Sequence, residues 1–145
     1  MEIDRVSAEV VDAAIRVHRE LGPGLLESVY ETVLAASLVR AGFRVDRQMS
    51  VDFEFDGMQF VGAFRVDLLV AGRLVVEIKS IENLAPVHAK QVLTYLRLLK
   101  LPVGLLLNFG GATMKEGIRR LVNDYAAPVS ASVSPRLRAK SEYGE

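Results

Sequence analysis

Apolar positions in the first forty residues recur at helical spacing. Val6, Val10, Ala14, Val17 and Leu21 fall on one face of a segment running from about Asp4 or Ser7 to Leu21, with charged residues elsewhere. Gly22-Pro23-Gly24 closes this helix, because glycine suits a helix C-terminus and proline cannot continue the hydrogen-bond ladder. A second helix is predicted over about Leu26 to Ala41, with Val29, Leu34 and Leu38 buried and Gly42 ending it.

From Phe43 the period changes to two. Phe43, Val45, Met49, Val51, Phe53 and Phe55 alternate with Arg44, Asp46, Gln48, Ser50, Asp52 and Glu54. Asp56-Gly57 is a hairpin turn signal. Beyond it Met58, Phe60, Phe64, Val66, Leu68 and Val70 line even positions, and after Ala71-Gly72-Arg73 the even series continues with Leu74, Val76 and Ile78. This pattern predicts three antiparallel strands in a meander. Next comes a helix from about Val87 to Leu99, then Val103-Gly104-Leu105-Leu106-Leu107, a continuous apolar run suited to a strand buried on both faces. Strand, helix and buried strand in that order imply a parallel crossover.

Thr113–Val122 reads two ways. Thr113 and Glu116 could form a capping box, while Ile118, Leu121 and Val122 suit a strand. The element order is ααβββαβ, an α/β domain around a mixed sheet with flanking helices. The expected domain covers residues 1–125. Residues 126–145 are polar and poor in large apolar side chains, which predicts a flexible C-terminal tail.

Composition narrows the function classes. The chain has 145 residues, 50% hydrophobic and 25% charged, enough for one compact core and too few for two. It contains no cysteine, which excludes disulfides and thiolate metal ligands and suits a reducing cytoplasm. No apolar run approaches the roughly 20 residues of a membrane-spanning helix, and the acidic, amphipathic start is unlike a secretory signal. The expectation is a cytoplasmic protein with no membrane partner. Net charge is zero, against strong nonspecific nucleic-acid binding, although residues 81–125 carry six bases and three acids.

The residues best suited to chemistry lie in FRVDLLVAGRLVVEIKS. A turn centred on Gly72 pairs Val66 with Ile78, Leu68 with Val76 and Val70 with Leu74. It then sets Asp67 across from Glu77 and Arg65 across from Lys79. Opposed carboxylates repel at cross-strand distance and favour a cation between them. Magnesium, which accepts oxygen ligands, water and phosphate, suits such a pair, and a neighbouring ammonium could orient an attacking water. The same four residues could instead form a checkerboard of surface ion pairs. Val61, Ala63, Leu69 and Val75 share their face, which would then be half covered by a helix and partly dry.

Asp67 followed after nine residues by Glu77-Ile78-Lys79 matches the D…ExK signature of the PD-(D/E)XK nuclease superfamily, though no proline precedes Asp67. GPGLLESVYE, with Gly24, Glu27 and Tyr30, resembles the motif that names the GxxExxY family within it. His88, Gln91 and Tyr95 resemble the helix motif that follows ExK in many members, and Leu107-Asn108-Phe109-Gly110 resembles the family's strand ending in NFG. These motifs span residues 10 to 122.

The resemblance implies a restriction-endonuclease-like core and a nuclease cutting DNA, or RNA, through a metal-activated water. It implies magnesium, with manganese as a substitute, held by Asp67, Glu77 and the Ile78 carbonyl, with Glu27 completing the set. Lys79 would position or activate the water, and Gln91 would contact lysine, water or substrate. Each carries a plainer alternative. Glu27 also fits a first-turn glutamate favoured by the helix dipole, with Tyr30 half buried; Glu31 could take its place. Tyr95 fits a core packing role. His88 and His18 lack a second histidine nearby and read as packing or surface residues. Lys90, Arg97, Lys100, Arg119 and Arg120 are phosphate-contact candidates or a solvated face. GxSxG, P-loop lysine, HExxH and dinucleotide-binding glycine motifs are all absent. The alternative function is a catalytically silent nuclease-like module that binds nucleic acid or protein. A homodimer or a protein partner is compatible with either.

Overall fold

A computed structural model describes residues 2–123. The expected boundary at residue 125 and the tail over 126–145 lie outside the described residues. The elements are α1 (Ile3–Leu21), α2 (Glu27–Arg40), β1 (Val45–Phe55), β2 (Met58–Val70), β3 (Leu74–Lys79), α3 (Pro86–Leu99), β4 (Val103–Asn108), a short 3-10 turn (Lys115–Gly117) and β5 (Ile118–Val122). The five strands form one sheet in sequential order. β1, β2 and β3 make the antiparallel meander, β3 and β4 are parallel, and β5 returns antiparallel along β4. The ambiguous Thr113–Val122 segment therefore divides into a 3-10 turn and an edge strand.

Two helices cover one face of the sheet and one covers the other. On the first face Val6, Val10, Ala14 and Val17 of α1 and Tyr30, Leu34 and Leu38 of α2 pack onto Leu68, Val70, Leu74, Val76, Ile78, Leu105 and Leu107. On the second, Val92, Tyr95, Leu96 and Leu99 of α3 pack onto Met49, Val51, Val66, Leu69, Val75 and Leu106. Each fully buried aliphatic side chain contributes about 1.5–3 kcal/mol. Leu105, Leu106 and Leu107 of the interior strand β4 thus serve both cores, as expected where helices cover both faces of a sheet. Proline opens α3, where its missing N–H has no partner to lose. Leu21 and Val29, expected inside, are exposed at the ends of their helices.

One expectation about β2 fails in an informative way. Strict alternation puts all its even positions on one face, yet Val66 packs with α3 whereas Leu68 and Val70 pack with α1 and α2. β1 reverses at the same level, since Val45 packs toward α1 and α2 but Met49 and Val51 lie under α3. The two strands stay in register across this point, Arg47 pairing with Leu68 and Met49 with Val66. Between these pairs lie Gln48 and Asp67, and Gln48 has a left-handed backbone with φ +51°. The pleat therefore inverts at Gln48 and Asp67. Val66 and Ile78 consequently do not share a face, and Val61 and Ala63 point to solvent instead of lying under a helix.

Candidate active site

The β2–β3 ladder covers only Leu68–Val76, Leu69–Val75 and Val70–Leu74. One step further the register would pair Asp67 with Glu77, and here side chains replace the main-chain ladder. The Ile78 N–H donates to Asp67 Oδ2 at 2.8 Å, and the Asp67 N–H faces Glu77 Oε1 at 3.4 Å. The two acids thus accept from strand N–H groups just beyond the last paired position of the ladder. Leu74, Val76 and Ile78 belong to the α1–α2 side, so Glu77 and Lys79 project to the α3 side with Val75.

Glu77 is 7% exposed. Burial, then the neighbouring Asp67 charge, push its carboxyl from 4.5 up to about 8, with a smaller push from Glu27. The Asp67 N–H and the Lys79 charge pull the other way. Asp67, Lys79 and Glu27 therefore all lie within electrostatic reach of Glu77. Tyr95 on α3 joins them, for its phenol is held above its ordinary value first by burial and then by the charges of Glu77 and Asp67. Its ring also stacks on Phe64 at 4.2 Å, so the core role and the proximity to the acids are both real.

Asp67 is tied to α2 as well. Gln48 Nε2 donates to Asp67 Oδ1 at 3.1 Å and to Glu31 Oε1 at 2.8 Å, and Glu31 also accepts from Arg47 Nε at 3.1 Å. Glu31 is buried and faces β1, while Glu27, one turn earlier, is exposed. Gln48 and its link to Glu31 had no place in the sequence reading. The available signal was Arg47, the charged residue that interrupts the odd apolar series just where the pleat inverts.

The turn that leads into α2 at Glu27 is fixed by three contacts. Tyr30, fully buried instead of half buried, donates its hydroxyl to the Gly22 carbonyl and accepts the Leu25 N–H at 3.1 Å. Ser80 Oγ donates to the Leu25 carbonyl at 2.6 Å, joining the end of β3 to the same loop. Phe109 stacks under Tyr30. Asn108 then clamps the chain after Ser80, its Oδ1 accepting from Ile81 N–H at 3.0 Å and its Nδ2 donating to the Ile81 carbonyl at 2.9 Å. Residue 110 must be glycine, because a Cβ there would lie 2.1 Å from the Ile81 carbonyl oxygen. The resemblances at GxxExxY and NFG thus describe one connected frame around the ExK strand. A cavity of about 660 Å³ opens beside it, lined by Leu26, Glu27, Ser28, Ser80 and Glu82 among others. A more apolar hollow of about 760 Å³ between α1 and the β4–β5 connection contains none of the candidate residues.

The other residues singled out are placed as follows. Gln91 is exposed on α3, one turn before Tyr95, and has no hydrogen bond to Lys79 among the described residues. His88 caps α3, its Nδ1 accepting the Ala85 N–H at 2.9 Å. His18 is buried with Nε2 3.0 Å from the Gly111 carbonyl, a packing role. Arg120 pairs with Asp4.

Among the described residues no three His, Cys, Asp or Glu side chains gather closely enough to hold an ion unaided. Two converging carboxylates, one of them buried and pushed toward its neutral form by the other, nevertheless make a donor set that fits a hard divalent cation. Magnesium commonly takes one or two carboxylates and completes its shell with water and substrate phosphate. No helix among the described residues is long and apolar enough to cross a membrane. A sequence model of the PD-(D/E)XK nuclease superfamily matches residues 4–121. No curated protein and no solved structure matches the chain.

Proposed function

The chain belongs to the PD-(D/E)XK nuclease superfamily and has its restriction-endonuclease-like α/β fold, and on that premise we propose that it is a magnesium-dependent nuclease of the GxxExxY group that hydrolyses DNA. The observation that carries this reading is the convergence of Asp67 and Glu77 where the β2–β3 ladder opens. Asp67 and Glu77, with the Ile78 carbonyl and Glu27 at the margin, would hold the ion. When bound, it supplies positive charge to the phosphodiester oxygens and makes water a better nucleophile. Lys79, beside Glu77, orients that water or offsets charge developing on the phosphate. Tyr95 and the Leu69–Val75 surface exclude bulk solvent behind the acids, which strengthens each electrostatic contact. Gln91, exposed one turn along α3, meets substrate or water. The cysteine-free composition supports action in the cytoplasm.

The test is cleavage of single- and double-stranded DNA and RNA with magnesium or manganese, comparing wild type with Asp67→Ala and Lys79→Ala. Activity lost in both supports the assignment. Unchanged activity in both rejects it. The silent-module reading draws on the zero net charge. Saturable, metal-independent binding without turnover would favour it. A manganese-soaked crystal with density between Asp67 and Glu77 would favour the nuclease.

A further inference from the structure

Gln48 occupies a backbone conformation that its side chain makes costly. Its φ of +51° lies in the left-handed region, in the interior of a strand, where glycine would sit without steric penalty. Strain of this kind persists where the surroundings or the function require it. Here the side chain has a defined task. Nε2 carries two hydrogens, and the two acceptors it meets are both carboxylate oxygens, Glu31 Oε1 at 2.8 Å and Asp67 Oδ1 at 3.1 Å. Flipping the amide would set its own oxygen against two carboxylates, so its orientation is determined.

Glu31 is well suited to orient that amide. It is 6% exposed and fixed by Arg47, which also reaches Thr32 Oγ1 at 2.9 Å from its second arm. Asp67 is then pinned at both oxygens, Oδ1 by Gln48 and Oδ2 by the Ile78 N–H at 2.8 Å. Both donors are neutral. They fix the carboxylate without adding a cation that would compete with a metal for it. Each oxygen keeps a lone pair for a ligand.

We infer that Gln48, oriented by Glu31, is a positioning residue that holds Asp67 in the rotamer able to bind the divalent ion. The inference rests on the nuclease reading and adds to it a route from α2 through β1 to the β2 carboxylate. It also accounts for the pleat inversion, since the left-handed turn at Gln48 is what points an amide from β1 toward both acids while Met49 and Val51 turn under α3.

The discriminating variant is Gln48→Gly, which removes the amide and relieves the backbone at once. Calorimetric manganese binding and thermal melting are measured on the full chain beside Asp67→Asn. The expected result is a melting temperature unchanged or raised, with manganese affinity lowered about tenfold or more, as for other groups that orient metal ligands. A purely structural residue would not separate the two readouts in that direction. Gln48→Met keeps the length of the side chain but offers Asp67 neither a donor nor a charge, so it too should bind manganese weakly. Wild-type affinity in Gln48→Gly, with binding lost in Asp67→Asn, overturns this inference and leaves the nuclease reading intact. Wild-type affinity in Asp67→Asn removes the metal site and this inference with it. A Gln48→Gly chain that does not fold shows the side chain serving the strand, which also overturns the assignment.

Discussion

The Tyr30 ring lies nearly flat on that of Phe109, with centroids 4.5 Å apart and planes 11° from parallel. This contact joins α2 to the residue that follows β4, and the Tyr30 hydroxyl extends it to both ends of the Gly22–Leu25 turn. A helix, a turn and the interior strand β4 are thereby registered against one another beside Glu27.

Tyr30→Phe keeps the stack and removes the hydroxyl, leaving the Leu25 N–H without its acceptor and the Gly22 carbonyl without its donor. Each group left unsatisfied costs about 1–3 kcal/mol. Tyr30→Ala also opens a cavity, and truncating a buried aromatic costs about 3–5 kcal/mol. Urea unfolding at constant m-value measures both. Equal stability of Tyr30→Phe and wild type would show that the turn does not depend on the hydroxyl.

Gly110 and Gly111 make a paired test of the Asn108–Ile81 clamp. A Cβ at Gly110 would stand 2.1 Å from the Ile81 carbonyl oxygen, whereas one at Gly111 meets nothing nearer than 3.6 Å. Gly110→Ala must push the chain after Ser80 away from β4, and overpacking of this kind costs about 1–3 kcal/mol or more. Gly111→Ala should change stability by no more than about 0.5 kcal/mol. Thermal melts of the two variants side by side read the difference.

Much of this arrangement is visible in the chain itself. Alternation from Phe43 onward, with turns at Asp56-Gly57 and Gly72, identifies the meander, and the Gly72 turn pairs Leu68 with Val76 as observed. The apolar run at Val103–Leu107 marks a strand buried on both faces because nothing but apolar side chains suits that position. What alternation cannot report is its own interruption. Gln48 takes a glycine-like conformation without being glycine, so only Arg47 hints at the inversion that turns Asp67, Gln48 and Glu31 toward one another. β5 was indistinct for a different reason. It is an edge strand with Arg119 and Arg120 exposed, and five such residues carry little pattern of their own until β4 pairs with them.

Glu77 ties stability to pH in the metal-free protein. Its folded-state value near 8 lies above the unfolded value of 4.5, so between the two the folded chain binds more protons than the unfolded one. Stability from this group is complete below about pH 4.5 and is lost as pH rises through about 8. In chelator, the melting temperature should fall from pH 5 to pH 8, and Glu77→Gln, neutral throughout, should flatten that slope. Manganese added at pH 8 should raise the wild-type melt and leave Glu77→Gln nearly unmoved. A wild-type slope of the opposite sign would show that Glu77 is ionised well below this range.

Glu27 is the outermost of the acids, and its contribution should be correspondingly smaller. It is exposed, and its charge is a weaker influence on Glu77 than burial or Asp67. A group acting at the margin of a metal site alters affinity by about 10–100-fold, so Glu27→Gln should lower cleavage within that range and recover as magnesium is raised. Asp67→Asn, by contrast, removes a carboxylate placed against both Gln48 and the Ile78 N–H, and excess magnesium should not restore it. Magnesium titrations of the two variants separate the cases. Equal, unrecoverable losses would make Glu27 a ligand of the same rank as Asp67, and no loss in Glu27→Gln would leave it a first-turn residue favoured only by the helix dipole.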